Sequence, residues 1–298
     1  MGAYTHAGTF ASSYADLAMT DHSDFIRAGI RERFAGRTRA YAEAAPRHAA
    51  HTELLVAKVQ PRLGERVLDI ASGPGGAALA AAAAVGASGQ VLATDLVAEW
   101  AELVAERCAE AGLANVSFRA MGAELLDLPD ASFDVVLCNF GLMFVPEPVQ
   151  ALREMRRVLR CGGRLGLTVW STPDRVAHLG LAHRALARYA PAIPPARRLP
   201  GPLDLGEPGL IERHVAAAGF RCIAVERHTL DCVYSAPEDY WRQHFEPPLS
   251  DVYDALQNLP FEQRERIHRD TLAELERYRR GDRICLPSEA VYATALRS

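Results

Sequence analysis

The stretch Arg66-Val67-Leu68-Asp69-Ile70-Ala71-Ser72-Gly73-Pro74-Gly75-Gly76 reads as a short apolar strand and a glycine-rich turn, with the alanine-rich helix Ala77 to Val85 behind it. Glycines between a strand and a helix let the backbone turn tightly and approach a ligand closely. The spacing Ala71-x-Gly73-x-x-Gly76 follows the dinucleotide-binding pattern only loosely. Asp69 discriminates. A carboxylate at the end of that strand repels a pyrophosphate and suits a ligand carrying positive charge, such as an ammonium or a sulfonium. Asp95 ends a second strand, Val91 to Asp95, and a carboxylate in that place accepts ribose hydroxyls in nucleoside-binding sheets.

Outward from this motif the text alternates. A helix is expected over Val97 to Ala111, then strands at Val116 to Arg119 and Phe133 to Asn139. A helix from Pro148 to Leu159, ended by Gly162-Gly163, leads into a fifth strand, Arg164 to Trp170. Short apolar strands alternating with helices predict an α/β fold, an open doubly wound parallel sheet with the ligand at the carboxyl ends of its strands. Before the sheet, residues 1–60 read as a helical arm broken at Pro61 to Gly64. After the 61–171 core come a lid insertion (172–206), a core helix and strand (207–235), a second, charged helical lid (236–281) and a last strand (282–298).

The 298 residues carry 33 Lys+Arg against 37 Asp+Glu, a net charge of −4, which argues against a nucleic-acid backbone as the main partner. The basic cluster Arg153, Arg156, Arg157 and Arg160 has helical spacing and reads as a solvated helix face. The longest apolar run, Ala77 to Ala87, is 11 residues, and a membrane span needs about 20. No signal peptide is read at Met1 to His6, so a cytoplasmic location is expected. Six cysteines without a C-x-x-C pair argue against a disulfide framework or a structural zinc site, and no His/Cys/Asp group has metal-ligand spacing along the chain.

Val67 to Gly75 resembles motif I of the class I S-adenosylmethionine-dependent methyltransferases, and Ala93-Thr94-Asp95-Leu96 resembles their second motif. Ala123-Glu124 with Leu128 to Asp134 is similar to the segment leading into strand four. Glu154 to Leu165 resembles the helix, turn and strand of the branch with the ubiquinone/menaquinone C-methyltransferases and small-molecule methyltransferases. The resemblance runs from about residue 64 to 171. It implies a Rossmann-like, mostly parallel seven-stranded sheet and S-adenosylmethionine as cofactor. It further implies that Asp69, Ala71, Ser72, Gly73 and Gly75 form the methionine side of the site and that Asp95 holds the ribose. Leu96 and Trp100 would flank the adenine, Gly122, Ala123 and Glu124 would lie near its edge, and Asn139 and Phe140 near the sulfonium. Three positions depart from the pattern: Ala71 replaces the usual first glycine, Gly122 a common Asp, and Cys161 a common Pro.

Methyl transfer is an in-line displacement, so the protein's main task is alignment, with proton removal where the acceptor needs it. Base candidates are sought in the insertions: His178, His183, His268 and above all His244, in the aromatic segment Tyr240-Trp241-Arg242-Gln243-His244-Phe245. Tyr240, Trp241 and Trp170, with Tyr4 and Tyr14 from the arm, are expected to line an acceptor pocket. The expected activity is C- or O-methylation of a small apolar or aromatic metabolite, such as a quinone or a product of secondary metabolism. Neither nucleic acid nor membrane is an expected partner, and a homodimer is left open. Two alternatives stay open: an NAD(P)-dependent oxidoreductase, which Asp69 disfavours, and a protein of this fold that binds the cofactor but catalyses another reaction, since fold does not fix function.

Overall fold

A computed structural model describes residues 10–189, 199–246 and 251–298, with side chains throughout except at 10–21, 251, 253 and 254. The arm is α1 (Phe10–Phe34), α2 (Thr38–Ala44), a 3-10 turn (Ala45–His48) and α3 (Ala49–Val59). Next come β1 (Arg66–Ile70), α4 (Gly76–Val85), β2 (Gln90–Asp95), α5 (Trp100–Glu110), β3 (Val116–Ala120) and β4 (Phe133–Asn139). Then follow α6 (Pro148–Val158), β5 (Leu159–Trp170), α7 (Ala177–Ala187), α8 (Leu210–Ala217) and β6 (Arg221–Tyr234). The chain continues through α9 (Pro237–Phe245), α10 (Asp251–Gln257), α11 (Phe261–Leu275), β7 (Arg279–Arg280) and β8 (Arg283–Leu296).

The strands pair in the order β3-β2-β1-β4-β5-β8-β6, with the two-residue β7 folded back onto β8. β1 to β5 are parallel; β8 runs antiparallel to both β5 and β6. The main path therefore has the seven strands the resemblance implies, and β7 is a small addition. The order reverses between β1 and β4, so the edge above β1, β2 and β4 is the switch point where a parallel sheet opens a crevice. Among the described residues, no helix is long and apolar enough to cross a membrane.

Small residues set how closely α3 and α4 pack on the sheet. Ala77, Ala78, Ala81 and Ala82 are buried along α4, so its backbone lies close to the strands. On β5, a Cβ at Gly166 would come within 2.1 Å of Val59 Cγ2 and 3.2 Å of Leu55 Cδ1, so α3 rests directly on that glycine. The junction of α6 and β5 differs from the expectation. The helix ends at Val158, and Leu159 is already paired with Phe133, with a bulge before Val135 meets Arg164. Leu159 is fully buried, and that burial draws the turn residues into the sheet.

The arginine cluster is not simply a solvated face. Arg157 donates to the Leu126 and Leu128 carbonyls at 2.8 Å each, to both Glu154 oxygens and to Asp130 Oδ1 at 2.6 Å. Arg160 pairs with Asp134, and Arg156 donates to the Gly219 carbonyl. The reason is local: the loop after β3 exposes carbonyls with no strand or helix partner, and a planar guanidinium satisfies several at once. Arg157→Ala should therefore lower the unfolding free energy by about 2–3 kcal/mol, the value of losing charge-assisted bonds at a partly exposed position. Arg157→Lys, lacking the fork, should recover little of it. Urea denaturation of the three proteins checks this; a loss within about 0.5 kcal/mol of wild type would show that the loop holds itself.

Candidate functional site

β1 lies between β2 and β4, with Asp69 in register with Ala93 on one side and Leu137 on the other. Its carboxylate is fully buried beneath the turn that follows. That turn takes left-handed conformations at Ala71 (φ 52°), Gly73 (φ 50°) and Gly75 (φ 78°). It is tied down by Ser72 N–H to the Thr94 carbonyl at 3.0 Å, and by Gly73 N–H to Asp95 Oδ2 at 2.9 Å. Asp95 Oδ1 accepts the Val97 N–H at 3.0 Å, so one carboxylate joins the two loops at the strand ends. A non-glycine residue in the left-handed region costs roughly 1 kcal/mol. Ala71 carries that strain where the family pattern has glycine, and Gly141 makes room for its methyl: a Cβ at 141 would lie 2.4 Å from Ala71 Cβ.

Above these loops runs one continuous cavity of about 400 Å³, within the roughly 300–1,000 Å³ of small-ligand sites. One half is lined by Ala71 to Pro74, Asp95 to Val97, Trp100, Met121 to Glu124, Asn139 and Phe140. Trp100 is buried, with Tyr41 edge-on at 6.3 Å. Glu124 pairs with Arg27 of α1 at 3.2 Å, and its Oε2 lies 3.7 Å from where a Cβ at Gly122 would be. A carboxylate thus occupies the side of the cavity where position 122 lacks one.

Neither oxygen of Asp69 makes a well-formed hydrogen bond; burial pushes its pKa up to about 8, against a weak approach of the Ala78 N–H and with the Asp95 charge adding to the rise. Burial also raises Asp95, to about 6, against its bonds from Val97, Gly73 and Leu96. A buried carboxyl this poorly satisfied gains from a cationic group brought beside it. Ser72 Oγ and Asn139 Oδ1 are likewise buried and unpartnered, and nothing lies within 4 Å of a Cβ placed on Gly73. These residues fit a cofactor with an ammonium end, a polar linker passing close to the backbone, and a ribose. They suit a pyrophosphate poorly, because Asp69 and Asp95 bring it no positive charge and repel it when ionised.

The other half of the cavity is aromatic and histidine-rich. Phe140 has a left-handed backbone (φ 55°), rare for a bulky residue, and stacks on Trp170 at 4.0 Å. Its N–H donates to the Thr168 carbonyl at 2.9 Å, which holds the strained turn in place. Asn139 Nδ2 donates to Thr52 Oγ1 at 2.9 Å, coupling β4 to α3. His48, His178 and His244 line this half. Burial lowers His48 and the nearby His51 to about 4 and His244 to about 3, so all three imidazoles are neutral around pH 7. His244 Nε2 meets the Tyr234 hydroxyl at 3.1 Å, and His51 Nδ1 meets the Tyr292 hydroxyl at 2.5 Å.

Most expected site residues come together on this cavity, though not all in the expected way. Asp69 lies beneath the wall, and Gly75 shapes the turn that opens α4 without lining the space. His178, His244 and Trp170 are buried lining residues; His183 also lines the cavity, at its exposed rim, and is bonded to the Leu179 carbonyl at 2.9 Å. Tyr240 and Trp241 stand outside the cavity. The Tyr240 hydroxyl donates to the His178 carbonyl at 2.9 Å and accepts the Ala182 N–H at 3.0 Å, fastening α9 to α7. Trp241 stacks on Phe245 at 4.2 Å and touches His268. Tyr4 and the Tyr14 side chain lie outside the described residues. The sequence reading missed His48, His51 and Thr52; the one signal was a pair of histidines three apart in the arm.

A family described as a methyltransferase domain matches residues 67–163. The ubiquinone/menaquinone biosynthesis C-methyltransferase UbiE of Cellvibrio japonicus is 38% identical over 130 residues, covering 43% of this chain and 51% of that protein. Its counterpart in Azotobacter vinelandii is 42% identical over 125 residues, covering 42% and 49%. The chain thus spans about half the length of the curated relatives it matches. The crystal structure of the YcgJ protein from Bacillus subtilis superposes with a TM-score of 0.54 at 20% identity, covering 83% of this chain and 98% of that one, and shares the fold.

Proposed function

We infer that this chain, which carries a class I methyltransferase domain over residues 67–163, transfers a methyl group from S-adenosylmethionine to a carbon or oxygen of a small apolar or aromatic acceptor. The observation that carries this reading is the buried carboxyl of Asp69 at the switch point, beneath the Ala71–Pro74 turn that shares one cavity with the Phe140–Trp170 wall. The bound cofactor supplies an electrophilic methyl carbon on a positively charged sulfur. Asp69 meets the ammonium, Asp95 accepts the ribose hydroxyls, and Trp100 and Leu96 bound the adenine. Asn139 and Phe140 stand where the methionine side of the cavity meets the acceptor side.

The acceptor half does two things. Its stacked aromatic wall favours a flat or apolar molecule and excludes water, holding the nucleophilic atom in line with the methyl. His244 is the candidate proton acceptor: in the tautomer whose Nε2–H donates to the Tyr234 oxygen, Nδ1 keeps a lone pair for the acceptor's proton, though burial makes it a weak base. Residues 172–206 and 236–281 serve on this reading as the lids that select the acceptor, and the protein works in the cytoplasm.

Calorimetry with S-adenosylhomocysteine, a thermal-shift panel with NAD(P), and labelled-methyl incorporation over a panel of phenols, quinols and enols test the reading. Stabilisation by S-adenosylhomocysteine and label in a small organic product are expected. Stabilisation by NAD(P) alone would overturn it, and cofactor binding without incorporation into any acceptor would favour a non-methylating reaction.

A further inference from the structure

The folded chain gathers donors that are far apart in sequence: His48 at the end of the turn before α3, His178 in α7 and Cys232 in β6. One ligand atom from each lies within 4.8 Å of the other two. We propose that His48, His178 and Cys232 bind a divalent transition-metal ion of the zinc type, with an open coordination position toward the acceptor half of the cavity. The binding site stands on these three residues alone, whereas its use on an acceptor rests on the methyl-transfer reading above.

Four observations carry the proposal. His48 Nε2 is buried without a hydrogen-bond partner, and a buried polar atom in that state costs about 1–3 kcal/mol unless something meets it. His178 Nδ1 lies 2.7 Å from the Ser288 hydroxyl, which also meets the Leu286 carbonyl at 3.2 Å and the Cys232 thiol, so one hydroxyl on β8 ties two of the three donors together. An outer partner of this kind orients a metal-bound imidazole. Cys232 is a fully buried free thiol. Finally, the donor set is two nitrogens and one sulfur with no carboxylate, which selects a borderline or soft ion over magnesium or calcium.

His48 and His178 also line the acceptor cavity, so a three-ligand site here keeps its fourth position accessible, as in metal sites that act on a substrate. Binding displaces the Cys232 proton to solvent and leaves a thiolate on the ion. One thiolate does not neutralise a dication, and the Arg47 guanidinium sits close by, over the Tyr234 ring at 5.0 Å. The fourth ligand that best balances this charge is an anionic oxygen. The acceptor class follows: a phenol or enol bound through its ionised oxygen.

The test is a cobalt(II) titration of chelator-stripped protein followed by visible and near-ultraviolet absorption, with zinc as competitor. One equivalent of Co²⁺ should give tetrahedral d–d bands and a thiolate charge-transfer band, both bleached by Zn²⁺. Cys232→Ser should abolish the charge-transfer band, and Ser288→Ala should weaken binding about 10–100-fold. The proposal is overturned if the stripped wild-type protein takes up no stoichiometric Co²⁺, or if binding is indifferent to Cys232→Ser. S-adenosylhomocysteine affinity, measured on the same stripped protein, separates the two readings: its loss would count against methyl transfer and leave the metal site standing.

Discussion

Replacing Asp69 by asparagine is expected to weaken S-adenosylhomocysteine binding about 100-fold or more, the equivalent of roughly 3 kcal/mol from one buried charge partner. The size follows from burial, because an ammonium entering this end of the cavity loses water and needs a counter-charge there. The same residue sets a pH dependence. With its pKa raised to about 8 in the free protein, Asp69 is mostly protonated at pH 7, and pairing with an ammonium favours the ionised form. Binding therefore releases a proton, and affinity rises with pH up to about 8, by at most about tenfold per unit, then levels off. Titration calorimetry at pH 7 in two buffers of different ionisation enthalpy should find nearly one proton released by wild type and far less by Asp69→Asn. Stability moves the other way. A carboxyl whose folded pKa is raised loses stability as pH climbs from about 4 toward 8, because the unfolded chain ionises first. The ligand-free variant should accordingly melt at or above wild type at pH 7. Equal proton release by the two proteins would remove Asp69 from the role assigned to it.

Gly141→Ala should cost about 2–3 kcal/mol of cofactor binding and stability together, enough to lower affinity at least tenfold. Backbone strain is not the cause, since Gly141 has φ −100°, which alanine adopts freely. The new methyl would meet Ala71 Cβ at 2.4 Å and Cys138 Sγ at 3.2 Å, and Ala71 sits in the turn that carries Ser72 and Gly73. The clash has a specific remedy. Ala71→Gly removes the opposing methyl and the left-handed strain while adding chain entropy to the unfolded state, so alone it should be nearly neutral. The double variant Ala71→Gly/Gly141→Ala should regain most of the affinity lost by Gly141→Ala. A double variant no better than the single one would mean that Gly141 is needed for another reason.

The parallel half of the sheet was legible because β1, β2 and β4 are short, largely apolar runs that carry Asp69, Asp95 or Asn139 at or next to their ends. Local chemistry announces such elements. The acceptor half was less legible, because its residues acquire meaning only through long-range pairing. His48 becomes a site residue when α3 rests on Gly166, and His178 when Ser288 of β8 fixes its ring. Spacing along the chain therefore could not show that two histidines and Cys232 converge. Aromatic composition misled at Tyr240 and Trp241: it marks α9 as apolar without saying which partner each ring meets, and these two hold the lid together. Arg157 misled in the same way, since a charged helix face reads as solvated until the Leu126 and Leu128 carbonyls of a loop fold over it.

The position of β8 has a consequence for the order of assembly. Among the described residues β6 is hydrogen-bonded to β8 alone, and β8 also pairs with β5, so a strand later in the chain than both its neighbours lies between them. As the chain leaves the ribosome, β1 to β5 can pair in succession, each with a neighbour already made or soon to follow. Cys232, on β6, and the Ser288 that orients His178 must wait for residues 283–296. The cofactor-binding crevice can thus form on the nascent chain, while the chamber beside it closes only once residues 283–296 have emerged.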